Sequence, residues 1–172
     1  MKKLGLLAMA SVAMLVFAQP ASAQQPGTAL WTNLTFGMTE AEVLAAQPTA
    51  TKPRKPDVLT DKAVCALELQ AYNVVNRDFH ACFYFTDGKL DRVILDRKLS
   101  TDGDFEDIRN QLRTKYGTEA EAQTGSKMLS LAKWHGETNT VILLLTKSLL
   151  DPRFGKIMWI YREPMPSTND KL

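Results

Sequence analysis

Between Asp78 and Arg97 the chain reads DFHACFYFTDGKLDRVILDR, two apolar runs flanking Asp87-Gly88. Asp-Gly accepts the positive φ angles of a tight type I′ turn, whose twist suits paired antiparallel strands, so the stretch predicts a β-hairpin. Side chains alternate along a strand, which sets Phe79, Ala81, Phe83 and Phe85 on one face and His80, Cys82 and Tyr84 on the other. The Phe face reads as core. Upstream, residues 64–75 alternate in the same way, with Cys65, Leu67, Leu69 and Ala71 on one side and Glu68 and Gln70 on the other. Asn76-Arg77-Asp78 is the expected turn between the two, so three antiparallel strands follow one another as a meander.

Helical signals frame that meander. Thr39 and Glu42 have capping-box spacing, Met38 and Val43 stand where a hydrophobic staple sits, and Pro48 cannot continue a helix, which predicts a short helix from Glu40. Phe105, Ile108, Leu112 and Tyr116 recur on one helical stripe that ends at Gly117, predicting a helix over 104–116. Three more strands are expected at 128–134, 138–146 and 155–161. Residues 48–62 hold three prolines with Lys52, Arg54 and Lys55, and read as a solvated connector. The expected fold is α+β: an antiparallel sheet of about six strands with two helices on one face. Helix, polar loop and three strands occur twice in order, which suggests tandem α-β-β-β half-repeats at 30–98 and 99–163.

The first residues change the charge balance. Lys2 and Lys3 precede an apolar run from Leu4 to Phe17 and then Ala21-Ser22-Ala23, the pattern of a secretory signal peptide over 1–23 cleaved after Ala23. With those two lysines in the leader, 19 of the 21 basic residues remain against 19 acidic ones, so residues 24–172 carry a formal net charge of zero. No basic stripe interleaved with aromatics is present, which argues against a nucleic-acid partner. A single α+β domain over 24–172 is expected, with no membrane span after cleavage, in an exported compartment such as a periplasm.

An oxidising compartment makes the pair Cys65 and Cys82 read as a disulfide, worth roughly 3 kcal/mol in the chain-entropy view. The plain register resists it. A turn centred on Arg77 sets Cys82 opposite Ala71 or Tyr72 and leaves Cys65 about 20 Å away along its strand. A bridge then requires a bulge, an earlier turn near Asn73, or a later strand start. His80 and His135 are the two histidines; zinc-type spacings are absent, as are a nucleophile elbow and a Gly-rich phosphate loop, so no catalytic residue, metal or cofactor is expected. If the helices cover one sheet face, the other is free to bind and carries His80, Tyr84, Glu68 and Gln70. Trp134 is a further candidate binding residue, in view of the enrichment of Trp and Tyr at interfaces, whereas Trp159 reads as core.

The segment Phe36-Gly37-Met38-Thr39-Glu40-Ala41-Glu42-Val43, ending in Pro48, resembles the opening of the SmpA/OmlA (BamE-like) envelope domain, and Phe85-Thr86-Asp87-Gly88-Lys89-Leu90 resembles its hairpin. The doubled layout is similar to the tandem build of the β-lactamase inhibitory protein. Both resemblances imply helices packed on one face of an antiparallel sheet, in proteins that act by binding other proteins. The lipidated Cys of the outer-membrane lipoproteins is missing. The expected function is therefore a soluble, non-catalytic protein-interaction module of the envelope, with another envelope or exported protein as partner. An inhibitor or binding protein for an exported hydrolase, acting through an aromatic loop near Trp134 or Phe154, is the alternative. A small enzyme is the third, and it needs His80, His135 and a carboxylate in one pocket.

Overall fold

The computed structural model describes residues 29–31, 33–74, 76–98, 103–124, 128–136, 139–148, 150 and 155–164. The signal-peptide expectation and Phe154 lie outside them. Its elements are β1 (Ala29–Trp31), β2 (Leu34–Thr35), α1 (Glu40–Ala46), β3 (Val64–Val74), β4 (Arg77–Thr86), β5 (Lys89–Lys98), α2 (Gly103–Tyr116), β6 (Glu121–Gln123), β7 (Leu129–His135), β8 (Thr140–Lys147) and β9 (Gly155–Arg162). β1 and β2 form a small ribbon, and the other strands form one antiparallel sheet of seven in the order β3-β4-β5-β9-β8-β7-β6. The fold is α+β, as the patterning implies. A helix and a meander from each half of the chain meet in mid-sheet, where β5 pairs with β9.

Local chemistry accounts for the joints. The Thr39 N–H donates to the Glu42 carboxylate at 2.7 Å while the Glu42 N–H donates to the Thr39 hydroxyl at 3.3 Å, a complete capping box on α1. Asp87 and Gly88 both take positive φ, 50° and 72°, as a type I′ hairpin demands. The turn before β4 is tighter than the expected Asn76-Arg77-Asp78, because Asn76 takes the left-handed conformation at φ 56° and Val74 already pairs with Arg77. Arg77 reaches Asp104 at 3.2 Å and Asp107 at 2.8 Å and so holds the start of α2 to the hairpin.

Both helices lie on one sheet face. Val43 from α1 and Phe105, Ile108 and Leu112 from α2 are buried with Phe79, Phe83, Leu95, Leu143 and Trp159 in the main core. Trp134 belongs to the same core. It is 2% exposed, and its indole N–H donates to the Gly117 carbonyl at 2.9 Å, at the end of α2. Its expected place in a binding patch is thus corrected: the core face of β7 takes it, between Gly117 and Val141.

The face assignment of Cys65 is corrected as well. β3 carries one extra residue between Cys65 and Leu67 and another between Leu69 and Tyr72, so Cys65 pairs with Tyr84 while Leu67 pairs with Phe83. A one-residue bulge reverses the side to which the following residues point. Leu67 and Leu69 therefore enter the main core, whereas Cys65 turns to the reverse face with Cys82. The two cysteines form a disulfide with their Cα atoms 5.8 Å apart.

Candidate functional site

A second, smaller apolar cluster of Ala63, Cys65, Cys82, Tyr84 and Ile94 lies on the reverse face, with Leu59, Met158 and Ile160 packed against it. The segment expected to be a solvated connector lies over this cluster as a strap. Thr51 exchanges two backbone hydrogen bonds with Glu68, at 2.7 and 2.9 Å, and the Cys65 N–H donates to the Asp57 carbonyl at 2.8 Å. Farther along, Asp61 meets Arg92 at 2.6 Å, and that guanidinium holds its carboxyl below the ordinary value. The lysines of the strap face water, but its backbone is tied to the sheet.

Between strap and sheet lies a cleft of about 240 Å³. Its floor is the disulfide with Ile94 and Met158, and Pro53 and Leu59 of the strap line it from above. The Tyr84 hydroxyl donates to the Asp57 carboxylate at 2.7 Å across this space. Burial, then that carboxylate, push the Tyr84 phenol well above its ordinary value, so it stays a donor.

One rim of the cleft is a chain of charges over four neighbouring strands. His80 on β4 stands between Glu68 on β3 and Asp96 on β5, at 3.0 Å from Nε2 and 3.0 Å from Nδ1, and Lys156 on β9 reaches the other oxygen of Asp96 at 3.0 Å. Gln70 donates its amide to the second Glu68 oxygen. Burial alone lowers the His80 pKa, but the two carboxylates together outweigh it and raise it above 6.5. The protonated ring has two N–H donors and two acceptors to receive them, so the arrangement favours the cation.

The reverse face extends beyond the cleft. Cross-strand register places Ile94, Ile160 and Ile142 in one row, and Met158, Leu144 and Leu131 in the next. Residues directly opposite share a face, so these six make one apolar band over β5, β9, β8 and β7. Ile94 is buried and the other five are half-buried. Leu131, Ile142 and Leu144 belong to neither buried cluster.

Of the residues expected from sequence, His80, Glu68, Tyr84 and Gln70 are brought together on this face. Gln70 is exposed and Tyr84 is buried at 5% exposure. Trp134 is on the opposite face. His135 sits on β7 near Glu121, at 3.6 Å, and does not join His80. Asp57, Asp96, Lys156 and Met158 were not foreseen. Asp96 meets His80 because a bulge at Asp91 shifts β5 by one residue, whereas the simple hairpin register sets Leu95 there. The β5–β9 pairing that brings in Lys156 and Met158 spans the two halves of the chain and has no local signal. Among the described residues there is no group of three or more His, Cys, Asp and Glu arranged to hold a metal ion, and no helix is long and apolar enough to cross a membrane.

A protein family described as "Uncharacterised protein" matches residues 31–156, more than half of the chain, and the chain belongs to that family. The match shows no homology to either of the two families to which the sequence motifs are likened. No curated protein and no solved structure matches.

Proposed function

We propose that this member of that family is an exported, non-catalytic protein-interaction module of the cell envelope that docks its partner on the reverse face of the sheet. The observation that carries this is the apolar band of Ile94, Ile160, Ile142, Met158, Leu144 and Leu131, opposite the face that both helices cover. Contiguous apolar surface rimmed by polar groups marks interaction sites on soluble proteins. Arg92 and Arg162 flank the band on one side and Lys156 on the other, the polar rim that such interfaces carry. Export is supported by the disulfide, which persists in oxidising compartments, together with the leader pattern of the first 23 residues. The rim histidine favours binding over catalysis, since both of its ring nitrogens are engaged by carboxylates.

The experiment is site-specific photo-cross-linking in the exporting cell, with a benzophenone side chain at position 144 on the reverse face or at position 111 on the outer side of α2. A discrete adduct from position 144 and none from position 111 is the expected result. Adducts from position 111 alone, or from neither, contradict the reading.

A further inference from the structure

We infer that the cleft under the strap is the anchor pocket for one aromatic side chain, carried on an extended segment of the partner that lies along the apolar band; the assignment rests on the interaction reading above. Size points to a single residue. Pockets for drug-sized ligands run from about 300 to 1,000 Å³, and this one is about 240 Å³. The floor selects the type of residue, because the disulfide and the Met158 thioether present sulfur beside the Tyr84 ring, and sulfur packs favourably against aromatic rings. Interfaces draw most of their energy from such aromatic anchors in desolvated pockets.

Charge fixes the rest. Within the cleft Glu68 and Asp96 are occupied by His80, and Asp96 also by Lys156, so these groups offer an incoming side chain no unpaired ion. Lys55 and Asp57 remain at the mouth. Among the described residues Asp57 has the Tyr84 hydroxyl as its side-chain partner, and neither it nor Lys55 has a counter-ion. One acceptor and one donor of opposite sign at the mouth suit a peptide unit, whose N–H is donated to Asp57 while its C=O accepts from Lys55. The occupant therefore carries no charge on its side chain, and its backbone supplies the polar groups that meet the mouth.

The test uses N-acetyl-L-tryptophanamide, titrated into the disulfide-bonded protein over residues 24–172 with the methionine methyls labelled for NMR. N-acetyl-L-leucinamide and N-acetylglycinamide serve as comparators. Saturable shifts at Met158 are expected, with the tryptophan probe binding at least tenfold tighter than the glycine probe and at least threefold tighter than the leucine probe. Asp57→Asn, isosteric and on the exposed strap, is expected to weaken the tryptophan probe by about threefold, and Met158→Ala by about tenfold. No saturable shift, leucine binding as tight as tryptophan, or unchanged affinity in both variants overturns the pocket. A partner cross-linked from position 144 with no probe binding overturns the pocket alone and leaves the interaction reading standing. Probe binding without any cross-linked partner overturns the partner as the occupant.

Discussion

The Tyr84 hydroxyl donates to the Asp57 carboxylate at 2.7 Å, and through that bond the strap is fastened to the sheet at the cleft. Tyr84→Phe keeps the ring and removes the bond. It is expected to lower stability by about 1.5 kcal/mol, the lower end for a hydrogen bond to a charged group, because Asp57 is exposed and water takes the donor's place. Amide exchange at Cys65, whose N–H donates to the Asp57 carbonyl, is expected to quicken relative to mid-sheet amides. Equal exchange in both proteins would show that the backbone bonds alone hold the strap.

The Cys65–Cys82 bridge joins β3 to β4 across a sequence separation of 17. Closing a loop of that length is worth roughly 3 kcal/mol in the unfolded chain. Cys65→Ser combined with Cys82→Ser is expected to lower the denaturation free energy by about that amount, read from urea unfolding with midpoint and slope fitted for each protein, since the unbridged unfolded chain exposes more surface. The same substitution removes the sulfur floor of the cleft.

His80 couples stability to pH. Its folded pKa is raised above 6.5, so the stabilisation it supplies is complete below about pH 6.5 and is lost as pH rises through the folded value. Unfolding free energy is expected to fall over that window in the wild type. His80→Gln, which keeps a donor but no titrating proton, is expected to flatten the slope. An unchanged slope would assign the pH dependence to other groups.

Trp134 gives the opposite expectation to an interface residue. Trp134→Phe loses the bond to the Gly117 carbonyl and leaves a cavity in the main core, with an expected cost of about 2 kcal/mol. Partner capture by the folded variant is expected to be unchanged.

Most of the fold was legible because its signals are local. Capping at Thr39 and Glu42, the Asp87-Gly88 turn, the helical stripe from Phe105 to Tyr116 and the alternation of the long strands each need only a few neighbouring residues. β1, β2 and β6 have two or three residues each, too few for a period to show. The site was half legible. His80, Tyr84, Glu68 and Gln70 could be placed on one face by alternation, but the bulges in β3 that turn Cys65 to them leave no mark in composition. Asp96 depends on another bulge, and Lys156 and Met158 on a pairing between the two halves. The strap is a largely exposed loop, as its prolines and charges imply, but its hold on the sheet is made by backbone groups and Asp57, which no periodicity reveals.

The account turns on which sheet face binds, and the most direct measurement is quantitative recovery of the cross-linked partner from cells making Ile142→Glu or Gln111→Glu, each checked for its disulfide and melting temperature. Ile142 is half-buried at the centre of the apolar band, whereas Gln111 points to water from α2. Recovery is predicted to fall at least tenfold with Ile142→Glu and to stay at the wild-type level with Gln111→Glu. Full recovery with Ile142→Glu in a protein of wild-type stability would contradict the reverse face as the docking surface.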